Sequence, residues 1–147
     1  IYDANRRLLT MSGHQFMLKL KETENSGRKS NEGLDLSVYS LVTDSERDIR
    51  TLSGGESFLA ALAMALGLSD IAIRKAGAVH LDMMFIDEGF GTLDAQSRKQ
   101  AIEVLSQLAG SERLVGIISH VTELKEQIEH RLYVTRTENG SEAVWEE

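Results

Sequence analysis

The stretch LDMMFIDEGFGTLD, residues 81–94, decides the fold class. Its first half, LDMMFID (81–87), carries apolar side chains on both faces of an extended chain. Such a strand is stable where helices cover both sides of a sheet, as parallel α/β arrangements do. RLVGIIS (113–119) repeats the pattern, and DAQSRKQAIEVLSQLAG (94–110) between them is an amphipathic helix, with Asp94 as its N-cap and Gly110 as its stop. VTELKEQIEH (121–130) predicts a second helix. RLYVTRT and EAVWEE predict a strand pair turning at Asn139-Gly140. Strand–helix–strand–helix–strand is an α/β layout.

Upstream the rhythm differs. Tyr2 to Leu9 reads as the end of a helix, HQFMLKL (14–20) as a strand and ENSGRKSNEG (24–33) as a polar loop punctuated by Gly27 and Gly33. LDLSVYSLV (34–42) alternates Leu34, Leu36 and Val38 on one face, so the first third predicts a small antiparallel layer. RTLSGGESFLAALAMALGLSD (50–70) then opens a helix. Ser53 and Glu56 stand three apart, the spacing of a capping box. From about Gly54 apolar residues recur nearly all round (Leu59, Leu62, Ala63, Leu66), which predicts a buried helix. Gly54 and Gly55 cost backbone entropy at the helix start. They leave bare amides that an anion can approach closely.

The chain has 147 residues, enough for one domain with a real core, and the apolar fraction and mixed charge of a soluble globular protein. It contains no cysteine, which excludes disulfides and thiolate metal sites. No apolar run is expected to reach bilayer length, and IYDANRRLL is not a signal peptide. The first residue is not methionine, so the chain reads as a segment of something longer. The net charge of −7 is unevenly placed: residues 1–50 carry eight basic and eight acidic side chains, residues 51–147 eight and fifteen. Arg6, Arg7, Lys19, Lys21, Arg28 and Lys29 form only a loose basic group, and composition gives no support for DNA binding by this segment alone.

Asp87 and Glu88 end the first apolar strand, the sheet edge where α/β proteins place ligands. There an aspartate serves Mg²⁺, directly or through water. The next residue, across the pleat, can take a proton from an attacking water. The alternative is that both carboxylates cap a loop. Gly89 and Gly91 tighten the turn towards Asp94. His120 follows the second apolar strand and reaches the same edge if the two strands are parallel neighbours, either to donate to a phosphate oxygen or as a plain polar cap. His14, His80 and His130 have no partner at motif spacing and read as structural. No Gly-Lys dipeptide occurs, so the phosphate loop G-x-x-x-x-G-K-[ST] is absent, and SGRKS (26–30) does not supply one. The sequence therefore offers a metal carboxylate, a base and an anion-ready helix, with no cradle for a triphosphate.

LSGGE, FIDE, GTLD and SH, in that order, resemble the signature, Walker B strand, D-loop and switch histidine of the C-terminal half of an ABC-type ATPase head. Transporter subunits usually have glutamine after LSGG and proline after the Walker B glutamate, where this chain has Glu56 and Gly89. Chromosome-maintenance (SMC) heads share LSGGE but usually follow Walker B with text like DEVDAALD. From about Ala4 to about Val134, LSGGESFLAALAMALGLSD, FIDEGFGTLD and ISHVTEL are similar to the bacterial SbcC family, ATPase subunits of SbcCD exonucleases.

That resemblance implies a head divided into residues 1–10 (the root of a coiled coil), 11–80 (a β layer and signature-helix lobe) and 81–147 (the Walker B, D-loop and switch-histidine part). It implies ATP and Mg²⁺ as cofactors, with the phosphate loop in an N-terminal Walker A half beyond a long coiled coil. Ser53, Gly54 and Gly55 would meet the γ-phosphate held by a second head of a homodimer, with Glu56 shaping the loop. Asp87 (metal), Glu88 and His120 (catalytic) would serve the head's own nucleotide, and Asp94 would couple the two sites. The further implied partners are a metallo-nuclease of the SbcD type and DNA through the assembled complex, with no membrane, in a cytoplasmic, nucleoid-associated setting. The chain itself shows no nuclease residues. An SMC-type chromosome head and a transporter nucleotide-binding subunit are the alternatives. The chain alone is expected not to hydrolyse ATP.

Overall fold

The computed structural model describes residues 1–21, 35–76, 83–109, 114–138 and 140–146. The expected loop at 24–33, Leu34, His80, Gly110 and Asn139 lie outside them. Helix α1 (Tyr2–Met11) leads into an antiparallel sheet in the order β1 (Phe16–Leu20), β2 (Leu36–Ser40), β3 (Ser45–Asp48). Helix α2 (Gly54–Ala76) follows, then β4 (Met83–Asp87), α3 (Ala95–Ala109) and β5 (Leu114–Ile118). A hairpin of β6 (Arg131–Thr137) and β7 (Gly140–Glu146) ends the described chain. β4 and β5 pair in parallel, Met83 opposite Leu114 and Asp87 opposite Ile118, as the α/β reading requires.

The core lies where the three helices meet the sheets. Ala4, Leu8 and Met11 of α1, Leu59, Leu62, Ala63 and Leu66 of α2, and Ala101, Ile102, Val104 and Leu105 of α3 are all buried. One charged pair accompanies them: Arg7 donates to Asp70 at 2.6 Å, tying α1 to α2. Asn5 ties α1 to the sheet. Its side-chain amide donates to the Leu18 carbonyl and accepts from the Leu18 amide, each at 2.8 Å, in the manner of one more strand residue beside β1. The α1–α2 crossing is close because Gly67 has no side chain: a Cβ there would stand 2.9 Å from the Ala4 nitrogen. Gly67→Ala in the complete protein is therefore expected to lose about 1–3 kcal/mol of head stability, although alanine favours helix, and a thermal melt reads it.

Several expectations need correction. Residues 121–130 do not form a helix; Thr122–Leu124 is a single 3₁₀ turn followed by turns and bends. Val121 offers no side-chain cap, and the Lys125 carbonyl accepts from Arg131 Nη1 at 2.8 Å instead of continuing a helical ladder. Nor is α2 buried nearly all round, since Ala61, Ala65 and Leu68 face outward. Residues 54–74 are, by length and composition, long and apolar enough to cross a bilayer, contrary to the sequence expectation. Their buried stripe packs against α1, as a core helix does. Finally, among the described residues β4 and β5 are covered on one side only. Met84, Ile86, Val115 and Ile117 face the core, whereas Met83, Phe85, Leu114 and Ile118 are more than half exposed.

Candidate functional site

The loop before α2 is built by reciprocal capping. The Ser53 amide donates to Glu56 Oε2 at 2.8 Å, and the Glu56 amide donates to Ser53 Oγ at 3.2 Å. Two of the orphan donors at this helix start are thereby satisfied. Arg47, from β3, adds a second hold: it donates to Glu56 Oε1 at 2.7 Å and to the Thr51 carbonyl at 3.0 Å. Burial pushes the Glu56 carboxyl up, but the Ser53 amide and Arg47 outweigh it, and its pKa lies below the ordinary value. Glu56 is thus ionised and engaged with its own loop. Ser53 and Gly54 remain exposed, open to an anion from outside.

Asp94 caps α3 as expected, accepting from the Ser97 amide at 2.9 Å and the Ser97 hydroxyl at 2.8 Å. These bonds, the Ser97 amide foremost, hold its carboxyl below the usual range. Gly55 accounts for the closeness of the two loops: a Cβ there would lie 2.8 Å from the Thr92 carbonyl oxygen. Ser53, Gly55, Glu56, Asp94 and Ser97 line one cleft of about 120 Å³, with Ser12 at its wall.

The third group gathers at the carboxyl ends of β4 and β5. Asp87 is the last residue of β4, and the Glu88 amide donates to the Ile118 carbonyl at 2.9 Å, extending the ladder by one step. His120, two residues past β5, brings Nδ1 to 3.1 Å from Glu88 Oε1 and 3.0 Å from Oε2. All three side chains are exposed. A neutral ring that donates from Nδ1 to the carboxylate leaves Nε2 as an acceptor. Donation from Nε2 to a phosphate then requires the charged ring, or a break of the Glu88 contact. For Mg²⁺, Asp87 is a fitting hard oxygen donor: that ion takes one or two carboxylates and completes its shell with water and phosphate. Among the described residues no group of three potential metal ligands occurs, so a caged protein-only metal site is not formed there.

The structure thus brings Glu88 and His120 together, sets Asp87 beside them and places Ser53–Glu56 with Asp94 around a second cleft. His14 and His130 join neither group. Sequence patterning missed Arg47, which reaches Glu56 from β3, and Ser12, which lines the same cleft; neither stands at a motif spacing.

The fold is that of part of an SMC-type head domain, as solved structures show. A structure described as concerning ATP-driven dimerization and DNA-stimulated activation of SMC ATPases superposes with a TM-score of 0.72 at 16% identity, covering 99% of this chain and 82% of that one. An Smc head domain from Pyrococcus furiosus superposes at 0.68 and 19% identity over 98% of this chain and 33% of its own. Residues 19–107 match the family model described as SbcC/RAD50-like, Walker B motif, and the chain belongs to that family. It is similar to the SbcC subunit of the SbcCD nuclease of Vibrio cholerae, 50% identical over 141 residues, and to its counterpart in Staphylococcus epidermidis, 46% identical over 141 residues. In each case 96% of this chain is covered but only 14% of the relative's length.

Proposed function

We propose that the chain is the C-terminal part of the ATPase subunit of an SbcCD-type DNA-repair exonuclease, completed by an N-terminal Walker A half and paired with a second head. The observation that carries this is the Glu88–His120 pair beside Asp87 at the ends of parallel strands, in a chain without a phosphate loop. Asp87 would hold Mg²⁺, which supplies charge neutralisation for phosphoryl transfer when bound. Glu88 takes the proton of the attacking water, and His120 holds the Glu88 carboxylate towards the sheet edge. Ser53 with the amides of Gly54 and Gly55 grips the γ-phosphate of the partner head's nucleotide, and Asp94 keeps the adjoining loop in register.

Residues 1–10 are the root of a coiled coil, 11–80 the signature-helix lobe and 81–147 the hydrolytic part. Closure of two heads over two nucleotides sums many contacts of about 0.3–1 kcal/mol each and gates an SbcD-type metallo-nuclease on DNA ends. The setting is cytoplasmic and nucleoid-associated. The test is ATP hydrolysis by this chain alone and after mixing with a separately made Walker A segment. Silence alone with activity on mixing is expected. Robust magnesium-dependent hydrolysis by the chain alone would overturn the half-site reading.

A further inference from the structure

Glu88 has φ 60, in the left-handed region that side-chain-bearing residues rarely occupy, and Gly89 follows with φ 93. Something must hold this turn. The Glu88 amide is anchored on the Ile118 carbonyl, and the Thr92 hydroxyl donates to the Gly89 carbonyl at 2.7 Å. The remaining wall is an aromatic ring from another element. A Cβ on Gly89 would lie 2.2 Å from both Cδ2 and Cε2 of Phe58, so the Phe58 ring rests directly on the Gly89 backbone. The same ring packs edge-on against the buried Phe90, with centroids 5.1 Å apart and planes at 66°.

Phe58 belongs to α2, five residues after Ser53. The start of α2 therefore touches the 88–92 turn twice, through Phe58 on Gly89 and through Gly55 on the Thr92 carbonyl. Both contacts are made where one side has no side chain to yield. Close-packed interiors transmit such displacements without cushioning them.

We propose that Phe58 is a positioning residue that couples the N-terminus of α2 to Glu88, so that engagement of Ser53 by the partner head's nucleotide sets the carboxylate of its own head. The coupling rests on the function proposed above. When α2 is drawn towards an anion, the Phe58 ring moves with the helix and the Gly89 turn follows. Misplacing a catalytic group by about 1 Å costs up to about 10²-fold in rate. Neither Glu88 nor Ser53 is touched by a change at Phe58, which makes the link separable from both sites.

The experiment uses the complete protein carrying Phe58→Leu, with Phe58→Tyr as the conservative variant. For Phe58→Leu, nucleotide affinity and ATP-driven head dimerisation are expected to stay within about twofold of wild type, while kcat falls about ten- to a hundredfold. Phe58→Tyr, which keeps the ring, restores kcat. In mixed dimers with Glu88→Gln in one head, Phe58→Leu lowers turnover when it shares a head with the intact Glu88 and leaves turnover unchanged when it sits in the other. Unchanged kcat, a fall no larger than the loss of dimer, or equal effects from either head would overturn the coupling. Dimerisation that is indifferent to ATP in the wild-type protein would instead overturn the functional reading on which it rests.

Discussion

Glu88→Gln in the complete protein is expected to bind ATP as well as wild type while hydrolysing it about 10²–10⁴-fold more slowly. The amide keeps the size of the side chain and can still accept from His120 Nδ1, which lies 3.1 Å from the carboxylate in the native site. It cannot take a proton from water. Because the γ-phosphate then persists, heads should accumulate in the closed, dimeric state, visible by size-exclusion chromatography with ATP and Mg²⁺. Single-turnover hydrolysis separates the chemical step from product release. Turnover at the wild-type rate would remove Glu88 from the base role. The left-handed backbone at this position affects both side chains alike, so strain does not confound the comparison.

Ser53→Arg is expected to abolish ATP-driven head dimerisation while sparing nucleotide binding by the head's own Walker A half. Two losses act together. The Glu56 amide loses the Ser53 hydroxyl as its acceptor, at a cost of about 0.5–2 kcal/mol to the helix start. The guanidinium also occupies the space over the helix start at the exposed Gly54. Since the Ser53 amide and Arg47 still hold Glu56, the loop keeps its path and the effect falls on the surface it presents. Equilibrium sedimentation with a non-hydrolysable nucleotide reads the result. Dimers that persist would reject the assignment of this loop to the partner's phosphate.

Local rules made part of this molecule legible before any coordinates. The Ser53–Glu56 box, the Asp94 cap and the parallel pairing of the two apolar strands each follow from side chains within one element or from a repeating pattern, and each is present. Strand β3 was not foreseen. SERD has no apolar alternation and forms because β2 offers a ladder, with Ser37 bonded to Glu46 and Lys21 to Asp48. The helix expected at 121–130 is absent, with Thr122–Leu124 a single 3₁₀ turn. Here Leu124 is buried and the carbonyls are taken by turns and by Arg131, so local packing ends the helical ladder. In the candidate site, Asp87, Glu88 and His120 were singled out from motif order, and Glu88 and His120 stand in contact. Arg47 and Phe58 were not, because each acts across elements, Arg47 from β3 on α2 and Phe58 from α2 on the turn after β4.

The Asn5 amide bears on how such a chain finds its proper neighbours. An open sheet edge accepts any passing strand, and proteins usually guard such edges. On the antiparallel sheet Asn5 occupies the outer hydrogen-bonding positions of Leu18, and the opposite edge is the charged SERD strand. Both features disfavour further pairing on that sheet. Among the described residues β4 and β5 have no such stopper, and their uncovered face is apolar. The two sheets thus differ at their borders: one carries guards against further pairing, and the other, among the described residues, carries none.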